Sequence, residues 1–233
     1  MATEIQALKE KLVLACQILA NEGQGDFIWG HVTVRSPERA DRIFMKPHMM
    51  GLSDVAAEDV ITVDIDGNKV EGEGRRHTEV FIHTEVMRAR PDVQCVVHTH
   101  PPHCIVFGAL GKKMQPIGHY GSLYCEALPV FDKTTDLITD QVLGRAVAQD
   151  LGDKHVLLLR NHGIVATGPY IEEAVMRALF LDIACKMQIT AESAGGAKLV
   201  SPEKDWMRKQ NSMIKRDHME AAFAHLVRKL HNK

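Results

Sequence analysis

Two short runs of the chain are apolar at nearly every position, and they restrict the fold more than any other feature. Residues 94–98 read Gln-Cys-Val-Val-His, and residues 155–159 read His-Val-Leu-Leu-Leu. A strand with one face in water alternates apolar and polar residues, so an unbroken apolar run indicates a strand that is covered on both faces. The sequence therefore predicts a sheet with helices packed on each side.

The other segments supply those helices and several more strands. Helical patterns cover residues 4–22, 78–90, 140–149, 171–194 and a C-terminal stretch from 202 to 230. Strand patterns cover residues 31–35, 42–45, 60–65, 69–70, 127–130 and 164–167, and Asp66-Gly67 predicts a hairpin turn between two of them. Because helices and strands interleave and a hairpin is present, we predict an α/β fold, a three-layer α/β/α sandwich with a mixed, partly antiparallel central sheet. No linker or repeat divides the chain, so we expect a single domain over residues 1–233.

Charge and composition exclude several functional classes. The net charge is −2, which gives no broad positive field for nucleic acid or an anionic membrane. No apolar run approaches the roughly 20 residues needed to cross a bilayer, and the N-terminus lacks the basic-then-apolar order of a signal peptide. The five cysteines are scattered without a Cys-X-X-Cys pair, which is typical of reduced thiols. We expect a cytoplasmic protein that acts on a small molecule, with no nucleic-acid or membrane partner.

Histidines at the end of an apolar strand are the first candidates for chemistry. His98 and His100 lie where the run 94–98 stops before Pro101. Side chains alternate along a strand, so both imidazoles point to the same side, and neutral imidazole is a good ligand for zinc and other divalent ions. The chain has 13 histidines, so this spacing alone is a weak signal.

A second strand end strengthens the prediction of a metal site. His162 follows the run 155–159, and Gly163 comes next, where glycine permits an unusual backbone angle or a close approach. Imidazoles from two strand ends predict a metal site of His98, His100 and His162 with one position open, as catalytic sites need. We expect His103 to support this site or cap a short helix rather than bind the metal.

Glu79 is the acidic candidate. It stands at the start of a predicted helix, directly after the basic, glycine-rich loop 71–76. One interpretation is a carboxylate stabilised by the helix N-terminus beside the metal, where it transfers protons. The other is a helix-start residue without a further role.

Several motifs in order connect the chain to a known family. They are Gly30-His-Val-Thr33, Glu79 before a helix, His98-Thr-His-Pro-Pro-His103, His119-Tyr120 and Asn161-His-Gly163. With them the chain resembles the class II aldolase/adducin family from about residue 9 to residue 191. The resemblance implies one divalent ion per subunit (zinc or manganese, with cobalt or magnesium as alternatives) bound by His98, His100 and His162. It also implies that Glu79 coordinates the ion and transfers a proton, and that Tyr120 reaches a neighbouring subunit's site in a homotetramer with active sites at its interfaces.

The departures from the family pattern bear on the substrate. The family's sugar-phosphate aldolases bind phosphate with small amide and hydroxyl groups, and this chain has His31 after Gly30 and no hydroxyl in residues 46–51. We therefore expect a carboxylate without a phosphate, contacted by His31, His48, Arg76 and His77, with Arg75 close by. For the arginines the alternative is a solvated loop, and for His48 a polar surface position.

The resemblance is nearest to the decarboxylase branch, whose members act on hydroxylated aromatic or pyridine carboxylates. We predict a metal-dependent carbon–carbon lyase that decarboxylates such a compound or a hydroxy acid, because a bound cation accepts the negative charge of the breaking bond. One alternative is an aldolase or epimerase that acts on a sugar or hydroxy acid. The other is a non-catalytic, adducin-like binding module, which need not keep three ligand histidines.

Overall fold

One sheet with helices on both faces makes up the molecule. The computed structural model describes residues 2–232, so Met1 and Lys233 of the predicted domain lie outside the described residues. The strands are β1 His31–Arg35, β2 Arg42–Met45, β3 Ile61–Asp64, β4 Lys69–Glu71, β5 Cys95–Thr99, β6 Val130–Phe131, β7 Val156–Leu159 and β8 Gly163–Gly168. The helices are α1 Ala2–Leu19, α2 Val80–Ala89, α3 Pro102–Leu110, α4 Gly118–Tyr124, α5 Gln141–Leu151, α6 Ile171–Ser193, α7 Glu203–Met213 and α8 Arg216–His231.

The sheet has eight strands in the order β4-β3-β2-β1-β5-β8-β7-β6. Every neighbouring pair is antiparallel except β6 and β7, which are parallel. The sheet is therefore mixed, as predicted. Strand β5 lies between β1 and β8 in the middle, and its residue His98 pairs with His31 of β1.

Alternation along the central strands divides the core into two layers. On one face, Val96 and Val165 pack with buried residues of α2 and α5. On the other, Val97 and Ala166 pack with buried residues of α1, α3 and α6. All five residues of β5 are buried, so the apolar run is explained by cover on both faces, and the three-layer prediction is confirmed.

The structure differs from the predicted elements in three places. The predicted C-terminal helix is divided into α7 and α8, which are separated at Ile214 and Lys215. Helix α4 was not predicted, because it is short and begins at Gly118 in a left-handed conformation (φ 64°), so it has no apolar period. The strand expected at residues 127–130 is β6, two residues long, and its position is set by pairing with β7. Across residues 2–232, every helix is too short or too polar to cross a lipid bilayer.

Helices α2 and α5 approach each other at a glycine. A Cβ on Gly144 of α5 would lie 2.5 Å from the carbonyl oxygen of Phe81 and 2.9 Å from Cγ of Glu85. The backbone of α2 occupies the space that any side chain would need. This contact matters for function because Glu79 directly precedes α2.

We expect Gly144→Ala to lower the free energy of unfolding by about 1–3 kcal/mol, because the added methyl forces α2 and α5 apart. Urea unfolding followed by circular dichroism measures this free energy. Gly108→Ala in α3 is the matched control, since its Cβ would meet only Leu158 Cδ1 at 4.0 Å. That variant should be unchanged or more stable by up to about 1 kcal/mol, from helix propensity. Equal losses in both variants would contradict the close packing.

Candidate metal centre

Four side chains from three parts of the fold converge at the end of β5. They are Glu79, His98, His100 and His162, and their potential ligand atoms all lie within 4.8 Å of one another. His98 belongs to β5 and His100 follows it, while His162 lies in the turn from β7 to β8. The expected convergence of three imidazoles and Glu79 is what the structure has.

The local backbone explains how the two strand ends meet. Thr99 of β5 pairs with Ile164 of β8, which places the β7–β8 turn beside the end of β5. A Cβ on Gly163 would lie 2.4 Å from the carbonyl oxygen of Thr99 and 2.8 Å from Cδ2 of His100. Of the two reasons considered for Gly163, the close approach is therefore confirmed.

Hydrogen bonds orient two of the imidazoles. His98 Nδ1 donates to the carbonyl oxygen of Ile164 at 2.9 Å, and His100 Nδ1 donates to Asp26 Oδ2 at 3.0 Å. A carbonyl and a carboxylate only accept, so each Nδ1 carries the proton, and in a neutral ring Nε2 has a free lone pair. Such partners orient histidine ligands in metalloproteins.

The free nitrogens face each other. The Nε2 atoms of His98 and His100 are 3.1 Å apart. Burial, followed by the repulsion of His98 and His162, lowers the pKa of His100 to about 4, so that ring is neutral at neutral pH. His162 Nε2 is also buried and has no hydrogen-bond partner among residues 2–232. Imidazole nitrogens directed at one point beside a carboxylate suit a cation, so these residues fit a divalent metal ion.

Glu79 completes the set as a carboxylate. Its Oε1 accepts a hydrogen bond from the Ile138 amide at 2.9 Å, and its two oxygens lie 3.6 Å from His162 Nε2 and His98 Nε2. Burial acts to raise its pKa, but the adjacent imidazoles of His162 and His98 outweigh burial and hold the pKa well below its usual range. Glu79 makes no capping hydrogen bond to α2. An ionised carboxylate suits a metal ligand and a proton acceptor.

A cleft of about 550 Å³ opens onto Glu79, His100 and His162, whereas His98 is fully buried. Of the residues expected to contact substrate, His31, His48 and His77 line the cleft, and Arg76 does not. Arg76 lines a neighbouring pocket of about 640 Å³ together with Arg75, and His48 lines both cavities. The structure thus places the three imidazoles in the cleft of the candidate metal centre and the two arginines in the neighbouring pocket.

The cleft imidazoles form a continuous contact series. Ring centroids are 5.1 Å apart for His48 and His77, 4.4 Å for His77 and His31, and 4.9 Å for His31 and His98. Burial, followed by the charges of Lys46, His48 and His83, lowers the pKa of His77 to about 2. Burial also lowers the pKa of His31 well below its usual value. These two rings therefore act as neutral groups rather than as the cations that carboxylate binding would favour.

Two residues singled out in the sequence lie elsewhere. Tyr120 of α4 packs against Phe180 with ring centroids 5.1 Å apart and does not line the cleft of its own chain. Its role in a neighbouring subunit stays a prediction. His103 Nδ1 is 3.2 Å from Asp182 Oδ1 of α6, and the N-cap of α3 is Pro101, so the capping role expected for His103 is wrong.

Residues 10–189 match the family model described as class II aldolase and adducin N-terminal domain. This chain belongs to that family.

Its relatives include decarboxylases and aldolases. The chain is 33% identical over 208 residues to a 3,4-dihydroxyphthalate decarboxylase from Arthrobacter keyseri, and the match covers 84% of each protein. It is 35% identical over 180 residues to decarboxylase NovR from Streptomyces niveus, covering 76% of this chain and 67% of that protein. An L-fuculose 1-phosphate aldolase from Glaciozyma antarctica superposes with a TM-score of 0.87 at 26% identity, covering 98% of this chain and 90% of that one. The predicted family and fold are confirmed.

Sequence reasoning missed three residues around this family site. Asp26 holds His100, and His83 is a fully buried histidine of α2 that contacts His31. Lys46 is also fully buried, and its Nζ donates to the carbonyl oxygens of Ile28 at 3.3 Å, Pro47 at 3.2 Å and Met50. That ammonium ties together the two loops that carry Trp29 and His48 into the cleft. No spacing rule marks these positions, because each acts through a partner that is distant in sequence or through backbone.

We expect Asp26→Ala to weaken zinc binding about 10- to 100-fold, since His100 loses the carboxylate that fixes its ring. Competition with a chromophoric chelator, on protein stripped of metal, measures the affinity. Asp182→Ala is the matched control, because it removes the same kind of partner from His103. If Asp182→Ala weakened zinc as much as Asp26→Ala, the orienting role of Asp26 would be refuted.

We expect the metal-free protein to lose stability as the pH falls from 7 to 5. The folded-state pKa is lowered to about 2 for His77 and about 3 for His83, below the unfolded value near 6.5. The unfolded chain therefore takes up protons that the folded chain does not, so acid favours unfolding. Each ring contributes at most about 1.4 kcal/mol per pH unit.

Urea unfolding at a series of pH values, with chelator present, measures this slope. His83→Gln removes one of these rings and should reduce the slope. His218→Gln should leave it unchanged, because that side chain is exposed in the folded protein as well. A stability that is flat between pH 7 and 5 would refute the prediction.

Proposed function

We propose that this protein is a divalent-metal-dependent carbon–carbon lyase, and specifically a decarboxylase of a non-phosphorylated hydroxylated aromatic or heteroaromatic carboxylate or hydroxy acid. The observation that carries the proposal is the convergence of imidazole Nε2 atoms beside an ionised carboxylate in an open cleft. The similarity to two decarboxylases supports the choice among the family's reactions.

His98, His100, His162 and Glu79 would hold one divalent ion. Three imidazoles and one carboxylate suit zinc or manganese, and cobalt and magnesium are alternatives because affinity alone does not decide which metal a protein carries. When bound, the ion supplies a Lewis acid that accepts the negative charge left by a breaking carbon–carbon bond.

Glu79 would transfer the proton that the reaction needs. As a carboxylate it takes the proton of a substrate hydroxyl. When the bond to the carboxylate carbon breaks, its electron pair stays on the ring carbon and carbon dioxide leaves. Glu79 then gives the proton to that carbon, and solvent restores the hydroxyl proton. Glu79 starts as an ionised carboxylate, so in this order it accepts a proton before it donates one.

The outer part of the cleft would bind a further carboxylate. His48 lies between the cleft and the pocket of Arg75 and Arg76, so it connects the metal centre with the cationic groups. A substrate with two carboxylates could place the reacting one at the centre and direct the second towards His48. Arginine suits the recognition of carboxylates.

We further propose that the protein forms homotetramers with active sites at subunit interfaces. Tyr120 supports this arrangement, since it lies outside the cleft of its own chain and is free to act as a catalytic residue in a neighbouring one.

We expect the zinc- or manganese-loaded protein to release carbon dioxide from members of a panel of hydroxylated aromatic mono- and dicarboxylates. Chelation should abolish this activity, and adding the metal back should restore it. The double variant His98→Ala, His100→Ala should lose both bound metal and activity, because it removes two ligands of the proposed site. His103→Ala is the control from the same motif, and it should keep both, since its ring pairs with Asp182.

Three outcomes would count against the proposal. Full activity after the metal is stripped would exclude the metal-dependent reaction. Release of a small aldehyde from a sugar or hydroxy acid, without carbon dioxide, would identify an aldolase, as the similarity to L-fuculose 1-phosphate aldolase allows. A protein that binds no metal and converts none of these compounds would correspond to a non-catalytic module.

A further inference from the structure

The lining of the cleft is partly apolar. It includes the side chains of Trp29, Ile105 and Leu137, which the proposed chemistry does not use. Trp29 is 49% exposed and Leu137 is 47% exposed, although both are large and apolar. Large apolar side chains grouped in one cleft are typical of a ligand site. These three residues form the apolar lining of the cleft.

A tight turn fixes the backbone of Trp29 beside the metal centre. The Trp29 amide donates to the Asp26 carbonyl oxygen at 2.8 Å, and Asp26 Oδ2 lies 3.0 Å from Nδ1 of His100. Lys46 Nζ donates to the Ile28 carbonyl oxygen of the same turn at 3.3 Å. One four-residue turn therefore connects the indole with a proposed metal ligand.

The other two members of the apolar lining belong to segments that hold other parts of the site. Leu137 directly precedes Ile138, whose amide donates to Glu79 Oε1 at 2.9 Å. Ile105 lies in the first turns of α3, the helix that begins two residues after His100. Three separate segments of the chain thus bring apolar surface to the same cleft as the ligand set.

The size of the cleft and its apolar lining fit an aromatic ring. A cavity of about 150 Å³ holds a benzene molecule, and this cleft measures about 550 Å³. A short acyclic hydroxy acid bound at the centre would leave the apolar lining in water, whereas a ring would cover it and remove apolar surface from water. An indole also attracts the face or edge of another aromatic ring, because both rings carry a quadrupole.

We propose that Trp29 is a specificity-determining residue that packs against the ring of the substrate, so that the cleft selects an aromatic carboxylate over an acyclic or saturated hydroxy acid. This inference rests on the proposed function, which includes both classes. The metal centre takes the hydroxyl and carboxylate groups, and Trp29, together with Ile105 and Leu137, contacts the apolar part of the ring.

Binding to zinc-loaded protein tests this selectivity without turnover. Salicylate and 2-hydroxycyclohexanecarboxylate carry the same two polar groups, and only salicylate has an aromatic ring. Calorimetry gives the ratio of their affinities, and comparing that ratio between variants cancels the difference between a phenol and an alcohol at the ion. We expect the preference for salicylate to fall about tenfold in Trp29→Leu. This fall is equivalent to about 1.4 kcal/mol, a usual size for stacking on an aromatic side chain.

Two further variants control the measurement. Trp29→Phe keeps an aromatic face and should retain most of the preference. Trp206→Leu removes the other tryptophan of the chain, which lies in α7 and does not line the cleft, and it should leave the preference unchanged. An unchanged preference in Trp29→Leu, or an equal fall in Trp206→Leu, would overturn the proposal.

Nuclear magnetic resonance reports the contact directly. The chain has two tryptophans, so ¹⁵N-labelled tryptophan gives two indole N–H signals, which are assigned by their loss in Trp29→Leu and Trp206→Leu. We expect salicylate to shift the Trp29 signal through its ring current, the saturated analogue to shift it much less, and the Trp206 signal to stay in place. A Trp29 signal that ignores salicylate, or responds equally to both ligands, would contradict the stacking.

Failure of this inference and failure of the proposed function give different results. Absence of carbon dioxide release, with the expected preference and shift, would count against the proposed reaction alone. Equal release from acyclic and aromatic substrates, with the preference unchanged in Trp29→Leu, would count against the role of Trp29 alone. If Trp29→Leu changed the oligomeric state in sedimentation and left the preference intact, the exposed indole would belong to a contact between copies, and the proposal would be wrong.

Discussion

The convergence of imidazole nitrogens on one point is the constraint on which the rest of the site depends. The Nε2 atoms of His98 and His100 are 3.1 Å apart, and a partner on Nδ1 keeps each ring from turning away. A cation between these nitrogens is attracted by both of them. The fold keeps the two rings in place through the backbone of β8 on one side and Asp26 on the other. A preorganised site of this kind lowers the stability of the folded protein and raises its affinity for a cation.

Desolvation also controls the imidazoles in the wall of the cleft. His31, His77 and His83 are buried among one another, and their environment disfavours the charged form of each ring. Neutral rings have distinct donor and acceptor nitrogens, so hydrogen bonds can specify which atom faces a ligand. Had these rings been exposed and protonated, each would present two donors and a positive charge.

Much of the architecture could be predicted because it depends on local patterns. The apolar runs that become β5 and β7 predicted a sheet covered on both faces, and alternation placed His98 and His100 on one side of β5. The residues that were not predicted act across long sequence separations. Asp26 is 74 positions from His100, and His83 lies on the inner face of α2, where nothing in its own segment separates it from an ordinary helix residue. The arginines were expected near the metal because of their charge, but Arg76 donates to the carbonyl of His77 and stacks on Phe81 instead.

The buried ammonium of Lys46 holds together two loops that are separate in sequence. Its three acceptors are main-chain oxygens, so they do not depend on which side chains those loops carry. The side chains around this cation are therefore free to diverge while the backbone beneath them keeps its shape. A family that performs several reactions on one scaffold needs such a division between a fixed frame and a variable lining.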